Sequence, residues 1–216
     1  MHKRHSLPAA RLARHRRKGA PRGRRARGAS LIIVMIIVVI VSLLGISAAH
    51  VAIMGEHSAR NDRDYQVAFQ SAETALHDAT NDMEGVGTTP RGDIFVPGNK
   101  VDFLQGCGTS GIHHGLCAQE TLETSKPIWL QIDFAGAGSP AATFGQFTGS
   151  TFAAGSTGIR PALAPRYVIE VIDDKFRVGN DKSLTPMKNM LYRVTAMGFG
   201  PRPETQAVVQ MLYAKE

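Results

Sequence analysis

Residues 24–55 read RRARGASLIIVMIIVVIVSLLGISAAHVAIMG. An arginine-dense stretch stops at Gly28, and the next charged side chain is Glu56. Thirteen of the sixteen residues in 31–46 are Leu, Ile or Val. At roughly −0.3 to −0.6 kcal/mol each in a membrane interior, they sum to about −4 to −8 kcal/mol, an upper bound because central positions count most. A helix of about 24 residues spans roughly 36 Å, more than the ~30 Å hydrocarbon core of a bilayer. The stretch therefore predicts a helix that belongs in a membrane or in surroundings equally apolar.

The formal charge of +7 is concentrated at one end. Residues 1–28 hold eleven Lys or Arg and no acid, which leaves 14 basic against 18 acidic groups in the rest. A basic arm can grip nucleic acid. This arm has no aromatic residue, however, and positive charge beside a membrane segment holds that end in the cytoplasm. A nucleic-acid partner is not expected. The 160 or so residues beyond the apolar run suffice for one domain with a core. Cys107 and Cys117 both lie past that run, on the oxidising side, where a disulfide persists.

Residues 1–28 show no apolar periodicity and read as a cytoplasmic leader. The abrupt chemical boundary at Gly28 precedes the apolar core, whereas a secretory signal is cut after it. Residues 56–84 (EHSARNDRDYQVAFQSAETALHDATNDME) contain no Pro or Gly. Tyr65, Ala68, Phe69, Ala72, Ala75, Leu76, Ala79 and Met83 recur at spacings of three and four, a narrow helical stripe with Arg, Asp, Glu and Gln on the other faces. Gly85-Val86-Gly87 stops the helix. The organisation expected is a leader (1–28), an apolar helix (29–55), its amphipathic continuation (56–84) and a globular region (85–216). Within the last, strands are expected at 127–134 (PIWLQIDF), 166–172 (RYVIEVI), 190–197 (MLYRVTAM) and 206–213 (QAVVQMLY). The final two form an antiparallel hairpin across GFGPRP. The low-complexity stretch 135–164 reads as a long surface loop. The fold class is α+β, a long helix packed on an antiparallel sheet.

Cys107 and Cys117 flank nine residues, GTSGIHHGL. A disulfide closing so short a loop is worth about 2.5–3 kcal/mol on chain-entropy reasoning. A Cys2His2 metal site with His113 and His114 is the alternative, but neighbouring histidines rarely both reach one tetrahedral ion. Glu170, Asp133, Asp173 and Asp174 read as solvated carboxylates rather than an acid/base pair, and Trp129 as a half-buried core residue. No nucleophile elbow, zinc-protease or phosphate-loop pattern occurs, so neither catalytic residues, a metal nor a cofactor is expected.

Three pieces carry a resemblance: RGASLIIVMIIVVIVSLLGISA (27–48), RNDRDYQVAFQSAETAL (60–76), and RYVIEVI with LYRVTAMGFGPRPETQAVVQMLY near the end. The chain resembles the PilX-type minor pilins, within the type IV prepilins. The resemblance implies a pilin-like fold, cleavage between Gly28 and Ala29 by a prepilin peptidase, and methylation of the Ala29 amine. It also implies single-pass insertion in the inner membrane, with a cytoplasmic amino end and a periplasmic domain. The resemblance further implies that lipid holds the helix before assembly, and that the subunit then joins other minor pilins and the major pilin, through an inner-membrane assembly platform, to prime or cap a pilus. Leu31, Ile33, Ile36 and Ile40 fall in the helix that is implied to make subunit contacts. Most pilins carry a glutamate at the fifth mature position, paired with the amino terminus of the subunit ahead; here Ile33 stands there. A buried carboxylate without a partner is costly, so Ile33 suits a subunit at the tip with nothing ahead of it. A minor pseudopilin of a type II secretion system, or an uncleaved anchor with a periplasmic binding domain, shares the amino-terminal physics.

Overall fold

The computed structural model describes residues 29–120, 126–152, 158–173 and 190–215. The leader 1–28, Gly28 included, and Asp174 lie outside them. The chain divides into two units, Met1–Ala52 and Ile53–Glu216, and helix α1 (Ala29–Met83) contributes to both.

In the first unit the apolar run forms helix as expected. In the second, α1 packs on a sheet of β1 (Leu116–Ala118), β2 (Ala142–Thr143), β3 (Arg166–Asp173), β4 (Met190–Phe199) and β5 (Gln206–Ala214). Strand order is β1-β3-β4-β5, with β2 also on β3. The three carboxy-terminal strands match their sequence expectations and run antiparallel, β4 and β5 as the predicted hairpin. β1, which the sequence reading missed, joins β3 in parallel.

Strand side chains alternate between the two faces. On one face Tyr167, Ile169 and Val171 of β3 pair with Ala196, Val194 and Tyr192 of β4. With Ala75, Ala79 and Met83 of α1 they form the main core. On the opposite face Val168 packs with Cys107, Cys117, Ile128, Phe134 and Ala141 in a second cluster. The sheet is thus covered by the helix on one side and by the disulfide-bearing segment on the other.

The alanine stripe works because β4 comes close. Ala68, Ala72, Ala75 and Ala79 are fully buried, and Gly198 faces them without a side chain. A Cβ there would sit 2.1 Å from the Ala68 carbonyl oxygen and 2.2 Å from the Ala72 nitrogen. At the helix end Gly85 takes φ 74. Its N–H bonds to the Asp82 carbonyl at 3.1 Å, and that of Val86 to the Asn81 carbonyl at 2.9 Å. This paired closure satisfies carbonyls that a helix end leaves free. Lys215 Nζ donates to the Met83 carbonyl, 2.8 Å away, adding a cation at the negative helix terminus.

Several expectations need correction. Residues 127–134 are not a strand: Ile128–Leu130 forms one turn of 3-10 helix after Pro127. The run IWL has no polar alternation, Leu130 is exposed, and Ile128 and Phe134 anchor the segment to the second core instead. The described part of 135–164 is no mere surface loop, because it supplies β2 and buries Ala141, Ala142 and Phe147. Glu170 is only 2% exposed and pairs with Arg193 across the β3–β4 ladder. Asp133 is exposed, as read, and its Oδ1 accepts the N–H groups of Ala135 and Gly136. Trp129 is half-buried, also as read. On α1, Tyr65 and Phe69 of the expected stripe are exposed, whereas Asp64, Asp78 and Asp82 are buried.

The close approach of β4 predicts that Gly198→Ala destabilises the second unit by about 1–3 kcal/mol or more, because the added methyl meets backbone on both sides. Denaturant unfolding of the detergent-solubilised chain, followed by Trp129 fluorescence, measures this. An unchanged midpoint would refute the tight contact.

Candidate assembly helix and disulfide-bounded loop

Every residue from Ser30 to Ala52 is exposed. Leu31, Ile33, Ile36 and Ile40, brought onto one helical segment as the sequence implied, stand 68, 56, 54 and 51% exposed. Two of the few hydroxyls in the run are satisfied internally: Ser42 Oγ donates to the Val38 carbonyl at 2.7 Å, and Ser47 Oγ to the Leu43 carbonyl at 2.9 Å. A segment whose backbone and hydroxyls bond within itself can enter a medium without water. By length and composition the helix is able to cross a membrane. Exposed apolar surface of this extent marks a membrane or protein contact. Ala29 opens the helix, while Gly28 on the other side of the expected cleavage bond lies outside the described residues.

Cys107 and Cys117 form a disulfide, with Cα atoms 4.0 Å apart. The loop between them carries both histidines, whose rings go to separate partners. His113 Nδ1 lies 3.2 Å from the Asp102 carbonyl oxygen. The His114 ring bridges Gln146 Nε2 at 2.8 Å and the Ser139 carbonyl at 3.1 Å. Gln146 Oε1 accepts the Thr143 N–H, which leaves its amide nitrogen to donate to His114 Nδ1, and His114 Nε2–H then donates to Ser139. With the sulfurs joined and the rings engaged in this way, the Cys2His2 alternative has lost its ligands.

Beneath the helix end sits a polar cluster that the sequence reading missed. Arg91, fully buried, pairs through Nε and Nη2 with both oxygens of Asp82, the Nε bond being 2.8 Å. Its Nη1 donates to the carbonyls of Ile112 and His114 inside the disulfide loop, each at 2.8 Å. The guanidinium carbon lies 3.5 Å from the Phe147 ring centre, a cation–π contact. Tyr167 Oη donates to Asp82 Oδ2 at 2.9 Å. One turn earlier Asp78 accepts the Gly145 N–H and the Thr148 hydroxyl. A signal existed: Asp78 and Asp82 follow Ala75 and Ala79 by three residues, on the flank of the buried stripe.

Burial, and secondly the negative charge of Asp82, push the Tyr167 phenol well above its ordinary value of 10.0. Burial also raises Tyr192. Folding thus favours the neutral phenols. Their contribution is complete below about pH 10 and is lost as pH rises toward the raised native values, at a slope on the order of 1 kcal/mol per pH unit per group. Stability of the solubilised chain is expected to fall above pH 10. Tyr167→Phe should lower stability at neutral pH yet flatten that alkaline decline. Parallel pH profiles for the two proteins would contradict the assignment.

Two family models match the chain: Type IV pilus assembly protein PilX C-term over residues 102–215, and PilX N-terminal over residues 27–77. No curated protein and no solved structure matches it.

Proposed function

The chain belongs to the PilX family of type IV pilus assembly proteins, and on that premise we propose that it is a minor pilin working at or near the fibre tip. Pilus components are its partners. A prepilin peptidase cuts between Gly28 and Ala29 and the Ala29 amine is methylated. The mature subunit waits in the inner membrane on its apolar helix, with the second unit in the periplasm, until the assembly platform passes it into the fibre beside other minor pilins and the major pilin. The observation that carries this reading is the uncovered apolar face of residues 30–52, which needs either lipid or neighbouring helices around it.

Ile33 supports the tip position. A glutamate at the fifth mature position would need the amine of a preceding subunit, and burying that carboxylate unpaired is costly. An isoleucine removes the requirement. Ile33 itself is exposed in the isolated chain and is free to meet any apolar neighbour.

The mass of the mature protein is the primary test. A methylated chain beginning at Ala29 is expected, whereas an intact leader would return the uncleaved-anchor reading. Ile33→Glu is expected to reduce incorporation at the tip or shift the subunit elsewhere. Immunogold labelling along the whole fibre in the wild type, or unchanged piliation and tip composition in the variant, would count against the tip. Deletion is expected to abolish piliation; a secretion defect with normal pili would favour a pseudopilin.

A further inference from the structure

We infer that the Cys107–Cys117 disulfide is an oxidation-dependent latch on the C-terminal end of α1, with Arg91 as its relay. Cys107 holds φ 72, and it is the one non-glycine residue with positive φ among the described residues. A side chain occupies that left-handed region at a cost, and the bond to buried Cys117 keeps it there. The loop beyond is folded tightly on itself. A Cβ on Gly108 would lie 2.1 Å from the His113 carbonyl oxygen. The Gly108 N–H bonds to Leu116 O at 3.0 Å and the Gly115 N–H to Gly108 O at 3.1 Å. This fold-back presents the Ile112 and His114 carbonyls together to Arg91 Nη1.

The same guanidinium holds Asp82 in the last turns of α1 and lies over Phe147. Phe147 belongs to the segment that Asp78 fastens through Gly145 and Thr148. One buried cation therefore joins the disulfide loop, the helix end and residues 144–149. Opening the bond with a dithiol gives two cysteine thiols and the reagent's own disulfide. Closing it passes two electrons and two protons to an oxidant of the protein-disulfide class, which leaves as a dithiol. Once open, Cys107 relaxes, the two carbonyls withdraw, and Arg91 loses acceptors that a buried donor needs. Asp82 and Arg91 then turn toward water, releasing the helix end and residues 144–149. The β3–β4–β5 ladder keeps its own register.

Hydrogen exchange read by mass spectrometry on the full chain in detergent micelles, oxidised and dithiol-reduced, tests the latch. Reduction is expected to speed exchange at 78–86 and 144–149 by about tenfold or more, together with 108–116, while β3, β4 and β5 stay protected. Arg91→Gln in the oxidised chain should reproduce the change at 78–86 and 144–149, and reducing that variant should add nothing there. Acceleration confined to 104–117 would overturn the relay. So would a loss of protection spread evenly through β3–β5, or effects of reduction and of Arg91→Gln that simply add. Should Arg91→Gln fail to fold, the wild-type pattern on reduction decides alone.

Discussion

A fully buried guanidinium carries five N–H donors, and the second unit is arranged around how Arg91 finds acceptors for four of them. Two sides of the fork take Asp82, the third takes two loop carbonyls, and the flat face rests on Phe147. A buried ion pair adds little net stability over an apolar replacement, but removing one partner costs about 3–5 kcal/mol. Its effect is to penalise every arrangement in which helix, loop and sheet fail to meet. Tyr167 extends the penalty into β3, because its hydroxyl shares an oxygen of the same carboxylate.

Packing against the sheet is organised by a different constraint. The stripe of alanines leaves little apolar area per residue, so close approach must make up in contact what the side chains lack. Gly198 permits that approach on β4, and Met83 together with the Phe95–Phe103–Tyr192 aromatic group fills the wider end of the core. The helix thus lies tight on the sheet near Ala68 and Ala72 and rests on large side chains nearer its C-terminus.

The parts of this fold that were legible in the sequence are those where one side chain decides its own environment. The apolar run, the alanine stripe, the strands now called β3, β4 and β5, and the short cysteine loop all read correctly. The parts that were not legible depend on partners far along the chain. Asp78 and Asp82 look like ordinary solvated acids until Thr148 and Arg91 are placed beside them. Glu170 looks like a surface acid until Arg193 arrives by cross-strand register. Residues 127–134 have a strand's composition, yet they pack as a turn because Cys107, Cys117 and Val168 already offer Ile128 and Phe134 an apolar bed.

The apolar half of α1 raises a question of specificity on the proposed reading. Lipid tails are about as apolar as leucine, so moving residues 30–52 from bilayer to a bundle of like helices changes little in hydrophobic free energy. That near-balance suits a subunit which must leave the membrane. It also means that apolar contact alone does not select a neighbour, and with Ile33 in place of an acid no buried carboxylate demands a particular amine. Discrimination among neighbours must then rest on shape in the helix bundle and on the surface of the Ile53–Glu216 unit. On that surface Tyr65 and Phe69 stand exposed on α1, outside the core that their spacing with the alanines suggested. Aromatic side chains contribute strongly to contacts once covered, so on the proposed reading these two exposed rings are the part of α1 that differs most from a uniformly aliphatic helix.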